Sequence, residues 1–292
     1  MIESFIFHRY KPNKVGVERS MYFNEQNNPF REFTTEVEWR QEDEPKSQDH
    51  GLWDTKPLLG KRVFRVEGDI LRDNSSEYMN DRLDLLGMFD PVYGSDVVGY
   101  LEIQWTGIPE VLTAEVSMDG YPELPITALA PARGSYMIAW KAPDPYLYGF
   151  KNPKVTMSKD VSTPIYVAGN APTRKVTYEL VAGPVSGQDI VAPITITHST
   201  YEISRVMNYN RTLLGGVDAG SGRPVPDDVL FDVYNRVVTD PGRPGTIRDP
   251  NAYFSGTWLT LLRGHNGIMW THSASGSFGR TLTVQWQNAY LV

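Results

Sequence analysis

Apolar and polar positions alternate with a period of two along several segments of the chain. Near the end of the sequence, Leu282, Val284 and Trp286 are separated by polar residues, which is the pattern of a β-strand with one buried face. Phe64 and Val66 alternate in the same way with Val63, Arg65 and Glu67. The sequence therefore predicts strands here, and the closing strand favours a β-sandwich or barrel that closes on itself.

Further strands are predicted from alternation or from short apolar runs bounded by turn residues. They are Glu36–Arg40, Tyr100–Trp105, Val111–Met118, Ser135–Trp140, Lys175–Leu180, Ala192–Thr197, Tyr201–Met207 and Val229–Val237. A tight turn is predicted at Gly264–Gly267, because this segment interrupts two apolar runs and its residues tolerate positive φ. Gln41–Ser47 and Val217–Asp228 are predicted to be loops.

One α-helix is predicted after the strand around Phe64. Asn74 and Glu77 have the spacing of a capping box, and Gly87 lies where a C-cap glycine is expected. The face that packs on the sheet is predicted to carry Met79, Leu83 and Leu86, which fall at helical spacing.

The composition strengthens the all-β interpretation. The 292 residues include 7 Trp, 16 Tyr and 11 Phe, and 21 Pro and 25 Gly divide the chain into short segments. The length is sufficient for two cores of ordinary size. The absence of cysteine excludes disulfides and thiolate metal sites, and is typical of a protein made in a reducing cytosol. The first residues lack the layout of a signal peptide, and no apolar run is long enough for a membrane span.

The net charge of −7 is unevenly distributed. Residues 1–150 hold 25 acidic and 15 basic residues, a balance of −10, whereas residues 151–292 hold 10 and 13, a balance of +3. An acidic first half argues against a nucleic-acid groove in that region, because it repels phosphates. A solvated acidic surface and electrostatic complementarity between copies both remain open as explanations.

Residue patterns for catalysis or metal binding are weak. The five histidines are isolated from one another and from carboxylates at metal-ligand spacing, and no nucleophile elbow or phosphate loop is present. The acidic runs Glu42–Glu44 and Asp227–Asp228 are interpreted as solvated loops rather than as a glycosidase pair or a calcium site. We therefore predict no catalytic residues, no metal and no cofactor.

An alternative function is a carbohydrate-binding β-sandwich for host-surface glycans. Exposed indoles near strand ends could stack on a sugar, although burial in a core is the more common role for tryptophan. The residues assigned to this alternative are Trp258, His265, Asn266 and Trp270.

Five stretches, taken in order, resemble the distal tail protein (Dit) of siphophage tails. They are Leu58–Gly68 with the helix that follows, Gly99–Trp105 continuing into Val111–Met118, Tyr136–Gly149, Gly169–Thr173, and Leu262–Ile268 with the closing strand. The similarity covers roughly residues 55–292. The family usually has Pro-Gly in the last turn, where this chain has Arg263-Gly264.

The resemblance implies a mainly β fold with two domains. Residues 1–149 would form an N-terminal β-sandwich belt domain with one helix, and residues 150–292 a galectin-like β-sandwich. Six copies would form a structural ring without enzyme activity at the distal end of the virion tail. The expected partners are the tail tube protein and the tail-tip hub or tail-associated lysin protein, with side fibres or a host glycan as further candidates.

The resemblance also implies no sequence-specific nucleic-acid binding and no membrane insertion, and synthesis in the host cytoplasm. Two sets of residues are expected to serve assembly. The domain junction is expected to depend on Asp144, Pro145, Tyr146 and Tyr148. The contact face of the ring is expected to carry Arg62 and Arg65.

Overall fold

The structure is a computed structural model. It describes residues 2–11, 16–24, 29–40, 44–45, 52–53, 58–89, 98–125, 132–183, 189–200, 203–213, 228–239, 250–273 and 280–292. The chain divides into two compact units: residues 1–147 with Val292, and residues 148–291.

The described part of the first unit is built from antiparallel strands and one helix. Its strands are β1 (Ile2–Tyr10), β2 (Val17–Phe23), β3 (Phe30–Arg40), β4 (Glu44–Pro45), β5 (Leu52–Trp53), β6 (Leu58–Leu71), β7 (Val98–Trp105), β8 (Leu112–Met118) and β9 (Arg133–Ala142). Its helix α1 (Ser75–Phe89) follows β6. The pairing order is β2-β1-β7-β8-β9-β6-β3, and the short strands β4 and β5 pair with each other.

An aromatic core lies between the strands of this unit. The ring of Trp140 lies 5.6 Å from that of Phe7 and 6.1 Å from those of Phe5 and Phe23. Phe64 faces the same core and is buried, as the alternation in β6 predicts. The core therefore joins strands that are far apart in the sequence.

The start of α1 confirms the capping prediction. The side-chain Oδ1 of Asn74 accepts a hydrogen bond of 2.9 Å from the backbone N–H of Glu77. This bond satisfies one of the donors that the first turn of a helix leaves free. The helix therefore begins where the sequence predicts.

The predicted buried face and end of α1 are wrong. The residues that pack inside are Tyr78, Leu85, Met88 and Phe89. Met79 is 41% exposed and Leu83 58% exposed, while Gly87 lies inside the helix rather than after it. Both sets of residues have helical spacing, so the periodicity alone could not select between them.

The end of α1 is capped from another element. Nη1 of Arg9, in β1, donates to the carbonyl oxygens of Gly87 at 3.1 Å and Met88 at 2.9 Å. A cation at this position also interacts favourably with the negative end of the helix dipole. This cap replaces the glycine cap that the sequence predicts.

The second unit contains two antiparallel sheets. Its strands are β10 (Leu147–Lys151), β11 (Val155–Met157), β12 (Thr163–Val167), β13 (Val176–Val181), β14 (Ile194–Ser199), β15 (Ser204–Tyr209), β16 (Asp228–Asp232), β17 (Val237–Thr239), β18 (Phe254–Gly256), β19 (Gly264–Thr271) and β20 (Thr281–Tyr290). One sheet has the order β17-β16-β13-β20, with β10 and β11 also along β20; the other has the order β12-β19-β14-β15-β18. A short 3-10 helix (Pro250–Tyr253) precedes β18.

The two sheets of the second unit enclose one apolar core. Leu282 and Val284 of β20 are buried in it, which confirms the alternation of the closing strand. Tyr209 and Phe231, which come from different sheets, meet edge to face at 5.4 Å. The mainly β, sandwich-type fold predicted for this part of the chain is therefore confirmed.

Two local predictions in the second unit are wrong. The segment Gly264–Gly267 is not a turn, because it forms the first half of β19 and pairs with β12. The stretch predicted as one strand over Val229–Val237 is two strands, β16 and β17, joined by a turn. The predicted loop at residues 217–227 lies outside the described residues, as does most of the predicted loop at 41–47.

Candidate assembly surfaces

Arg62 is a buried anchor of the first unit. Its Nε donates to the carbonyl oxygen of Pro145 at 2.6 Å, and its Nη1 donates to Thr35 Oγ1 at 3.1 Å and to the carbonyl oxygen of Val292 at 2.6 Å. Burial lowers the pKa of Arg62 to about 10, and the carboxylate of Asp144 opposes that shift. The expectation that Arg62 lies on an exposed contact face is therefore wrong, because its side chain is used inside its own subunit.

The predicted junction segment is tightly held at its beginning. The backbone N–H of Tyr146 donates to Asp144 Oδ1 at 3.0 Å, which closes an Asx-type turn. Pro145 is buried, and its carbonyl oxygen accepts the bond from Arg62. The structure thus brings Arg62 together with Asp144 and Pro145, two of the four residues assigned to the junction, a grouping that the sequence did not reveal.

Tyr148, the fourth junction residue, is buried in the second unit. The ammonium of Lys175 lies 4.7 Å from the centre of its ring and 5.0 Å from that of Tyr234. A cation held between two tyrosine rings is stabilised by their negative faces. Tyr148 therefore has a packing role in its own unit, and its assembly role stays a prediction.

Arg65 is on the surface, as expected for a contact residue. It projects from β6 with about half of its side chain exposed, and its Nη1 lies 3.7 Å from Glu36 Oε2 on the neighbouring strand β3. Exposed pairs at this distance contribute little to stability. Arg65 is therefore available for contact with another molecule.

Two strand edges of the first unit have no strand beside them among the described residues. β2 pairs with β1 on one side, and β3 pairs with β6 on one side. Val17 and Tyr22 of β2 are also exposed. A free strand edge presents unpaired N–H and C=O groups that can pair with another chain. These edges are natural places for subunits to join.

An open groove of about 590 Å³ also lies on the first unit. Five apolar or aromatic residues and three charged residues line it: Ile2, Glu3, Pro29, Phe30, Arg31, Glu32, Phe33 and Trp105. Two of the charged residues have partners, since Arg31 pairs with Asp69 at 3.2 Å and Glu3 accepts a bond from Thr106 at 3.1 Å. The groove therefore offers both apolar and charged groups to an occupant.

A serine, a histidine and a glutamate meet on the outer face of the first unit, a set that the sequence analysis missed. His8 Nδ1 lies 2.8 Å from Ser20 Oγ, and His8 Nε2 lies 3.5 Å from Glu102 Oε2. The three side chains come from the adjacent strands β2, β1 and β7. Backbone N–H groups of strands point along the sheet rather than out of its face, so the described strands β1, β2 and β7 provide no oxyanion hole here. The arrangement is that of cross-strand neighbours.

One of the residues assigned to glycan binding is in the core, and a second is partly buried against it. Trp270 is fully buried, and its Nε1 donates to the carbonyl oxygen of Met157 at 3.3 Å. Trp258 packs against the core, with its ring stacked 4.2 Å from that of Phe254. His265 is exposed beside Tyr166, at a ring distance of 5.1 Å.

Asn266 is the second buried member of that set, and it organises the start of β19. Its Nδ2 donates to the carbonyl oxygens of Leu262 at 2.8 Å and Gly264 at 3.0 Å. Its Oδ1 accepts from the N–H of Leu262 and from His198 Nε2, both at 2.8 Å. The four assigned residues therefore do not form one exposed surface, and the glycan site as predicted is wrong.

The described residues contain no cluster of three or more histidine or acidic side chains that could hold a metal ion. Within the same ranges, no helix is long and apolar enough to cross a membrane.

The sequence matches no protein-family model and no curated protein. The fold, however, matches solved structures. The crystal structure of the Dit protein (gp 19.1) of phage SPP1, described as a paradigm of the hub adsorption apparatus in phages that infect Gram-positive bacteria, has a TM-score of 0.57. The identity is 14%, and the alignment covers 90% of this chain and 93% of that one. The chain has the fold of the SPP1 Dit protein.

Two structures of the phage P2 baseplate in its activated conformation, with Ca and with Sr, also align. Both have a TM-score of 0.39, with 8% and 9% identity, and they cover 98% and 97% of this chain and the same shares of theirs. The likeness to Dit expected from the sequence is thus confirmed for the fold by SPP1 Dit.

Proposed function

We propose that this protein is a structural subunit of a phage tail tip. Six copies form a ring at the distal end of the tail, which joins the tail tube protein to the tail-tip hub or lysin protein. The observation that carries the proposal is the fold likeness to SPP1 Dit, which extends over 90% of this chain and so includes both units. A structural role requires complementary surfaces rather than a catalytic cleft.

The first unit supports this role through its surfaces. The strands β2 and β3 lie at opposite ends of the strand order in the first unit. A contact between β2 of one copy and β3 of the next would therefore join two different surfaces, which makes it heterologous. Heterologous contacts generate closed rings when the rotation between copies completes a circle. Arg65, exposed on β6, remains a candidate contact residue beside this seam.

The charge of the first half suits the proposed position. Residues 1–150 carry a balance of −10, and an anionic wall does not bind the DNA that passes through a tail. A map of the acidic residues in the assembled ring tests this point directly. Acidic side chains that all face away from the lumen would contradict it.

Native mass measurement of the purified protein is the first test of the ring. We expect a species of about 197 kDa, which corresponds to six copies of the 32.9 kDa chain. Because a ring of this kind can require the tube for closure, the second test is imaging of assembled particles with an antibody against the chain. Label along the tail shaft or on the head, rather than at the distal end, would refute the proposal.

A further inference from the structure

The amide of Asn266 fixes the proton position of a buried histidine in the second unit. Its Nδ2 donates to the carbonyl oxygens of Leu262 and Gly264, and its Oδ1 accepts from the N–H of Leu262. Turning the amide over would place its oxygen against two carbonyl oxygens, so these backbone groups set its orientation. The Nε2 of His198, 2.8 Å from the same Oδ1, must therefore be a donor. His198 is thus the Nε2–H tautomer.

The other ring nitrogen of His198 is a buried acceptor. The side chain is fully buried, and Nδ1 has no hydrogen-bond partner among the described residues. In the Nε2–H tautomer the lone pair is on Nδ1, so this atom is where an added proton must bind. Such a proton creates a cation in the interior of the second unit.

The surroundings of His198 oppose that cation. Arg205 of β15 lies opposite His198 in the strand register, so the two side chains share one face of the sheet. On the other side, β19 places the apolar Ile268 opposite His198. Burial lowers the pKa of His198 most strongly, the bond with Asn266 opposes this shift, and the charge of Arg205 adds to it. A protonated ring is therefore stable only where water can reach it.

We propose that His198 and Asn266 form an acid-sensitive latch at the start of β19. The neutral ring holds Asn266, which in turn holds the segment Leu262–Gly264 through its amide. A proton on Nδ1 drives the ring out to water, which breaks the bond to Asn266 and releases that segment. Only hydrogen bonds change in this step. The latch lies within the second unit, and the inference does not depend on the proposed function.

The latch should open as the pH falls below about 6.5, the ordinary pKa of histidine. Below this pH the released ring binds a proton that the closed ring does not hold, so a falling pH favours the released form. Above it, both forms are neutral and the latch stays closed. At pH 5.0, which is 1.5 units lower, the shift toward release has an upper limit of about thirtyfold.

Hydrogen exchange of the full chain, measured by mass spectrometry at pH 7.5 and pH 5.0, tests the latch. Rates are corrected for the pH dependence of chemical exchange. We expect the protection of the amides in Leu262–Asn266 to fall at least fivefold at the lower pH. Strand β16, in the other sheet, should stay protected over the same labelling times, because a local release precedes unfolding of the unit.

Three variants assign the effect to the latch. His198→Gln keeps an N–H donor but does not titrate, so protection should change less than about twofold between the two pH values. His265→Gln removes the exposed neighbouring histidine and should keep the whole fall. Arg205→Gln removes the cation that opposes protonation of the closed ring, so the fall should become smaller.

Three outcomes would overturn the inference. One is a fall in His198→Gln as large as in the unmodified protein. Another is loss of the fall in His265→Gln, which would make the exposed histidine the sensor. The third is equal exchange of β16 and Leu262–Asn266 at pH 5.0, which means that the whole unit unfolds. If His198→Gln is not protected at pH 7.5, Arg205→Gln decides, and an unchanged fall in that variant rejects the latch.

Discussion

The two units differ in the apolar and polar side chains that they bury. In the second unit, the polar Asn266 is buried in a network that satisfies its amide, and Trp270 is enclosed by the core. In the first unit, Leu83 is exposed on α1 and Trp105 lines an open groove. Both units leave some apolar side chains exposed, such as Phe150 in the second unit, but the open groove is on the first unit. The groove is one reason to look for the proposed assembly contacts in the first unit.

The largest effect is expected in the aromatic core of the first unit. Trp140→Ala removes the ring that contacts Phe5, Phe7, Phe23 and Phe89, and leaves a cavity. We expect a loss of about 3–5 kcal/mol in the free energy of unfolding, measured by urea denaturation. Trp140→Phe should lose less. A loss below about 1 kcal/mol for Trp140→Ala would mean that this core is not closely packed.

A slightly smaller loss is expected at Asn266 in the second unit. Asn266→Ala removes the hydrogen-bond partner of the buried Nε2 of His198 and of the half-buried N–H and C=O of Leu262. Each buried polar group left unsatisfied costs about 1–3 kcal/mol; because Leu262 is only half-buried and water can reach its backbone groups, we expect a total of about 2–4 kcal/mol. Calorimetry measures the loss, and His265→Ala is the matched control, since the neighbouring His265 is exposed. Equal losses for both variants would contradict the assigned role.

Acid is expected to destabilise the second unit through His272. Burial, and then the charges of Lys159 and Arg280, lower the pKa of His272 to about 4, against the opposing effect of Asp160. Between pH 4 and pH 6.5 the unfolded chain therefore binds more protons at this residue than the folded chain, so stability falls as the pH falls through this window.

His272→Gln should reduce the fall in Tm between pH 6.5 and pH 4.5. Part of the fall should remain, because burial also lowers the pKa of His198. The same fall in the variant as in the unmodified protein would exclude His272 as a source. His8→Gln, on the first unit, serves as the control histidine.

The smallest effect on stability is expected at Arg65. Arg65→Ala removes an exposed pair with Glu36 and should change the free energy of unfolding by less than about 1 kcal/mol. If Arg65 lies on the ring contact, the fraction of assembled protein should fall although stability does not. Sedimentation of the variant beside Glu36→Ala measures this. Unchanged assembly for both variants would remove Arg65 from the candidate contacts.

The sequence by itself determined part of the local structure. Strand β6 follows from the alternation around Phe64 and Val66, and β20 follows from Leu282 to Trp286, because a period of two places one face inside whatever the partner strand is. The N-cap at Asn74 also needs only the residues of its own first turn. These features depend on neighbours within a few residues.

Only the tertiary structure decided which polar residues are buried and which face of α1 packs on the core. Arg62 is buried because Pro145, 83 positions away, offers its carbonyl oxygen, and Asn266 is buried because it meets His198, 68 positions away. The packed face of α1 was chosen by the core it meets, since helical spacing allowed two faces. Side chains far apart in the sequence meet only when the strands pair, so no local pattern could predict these sites.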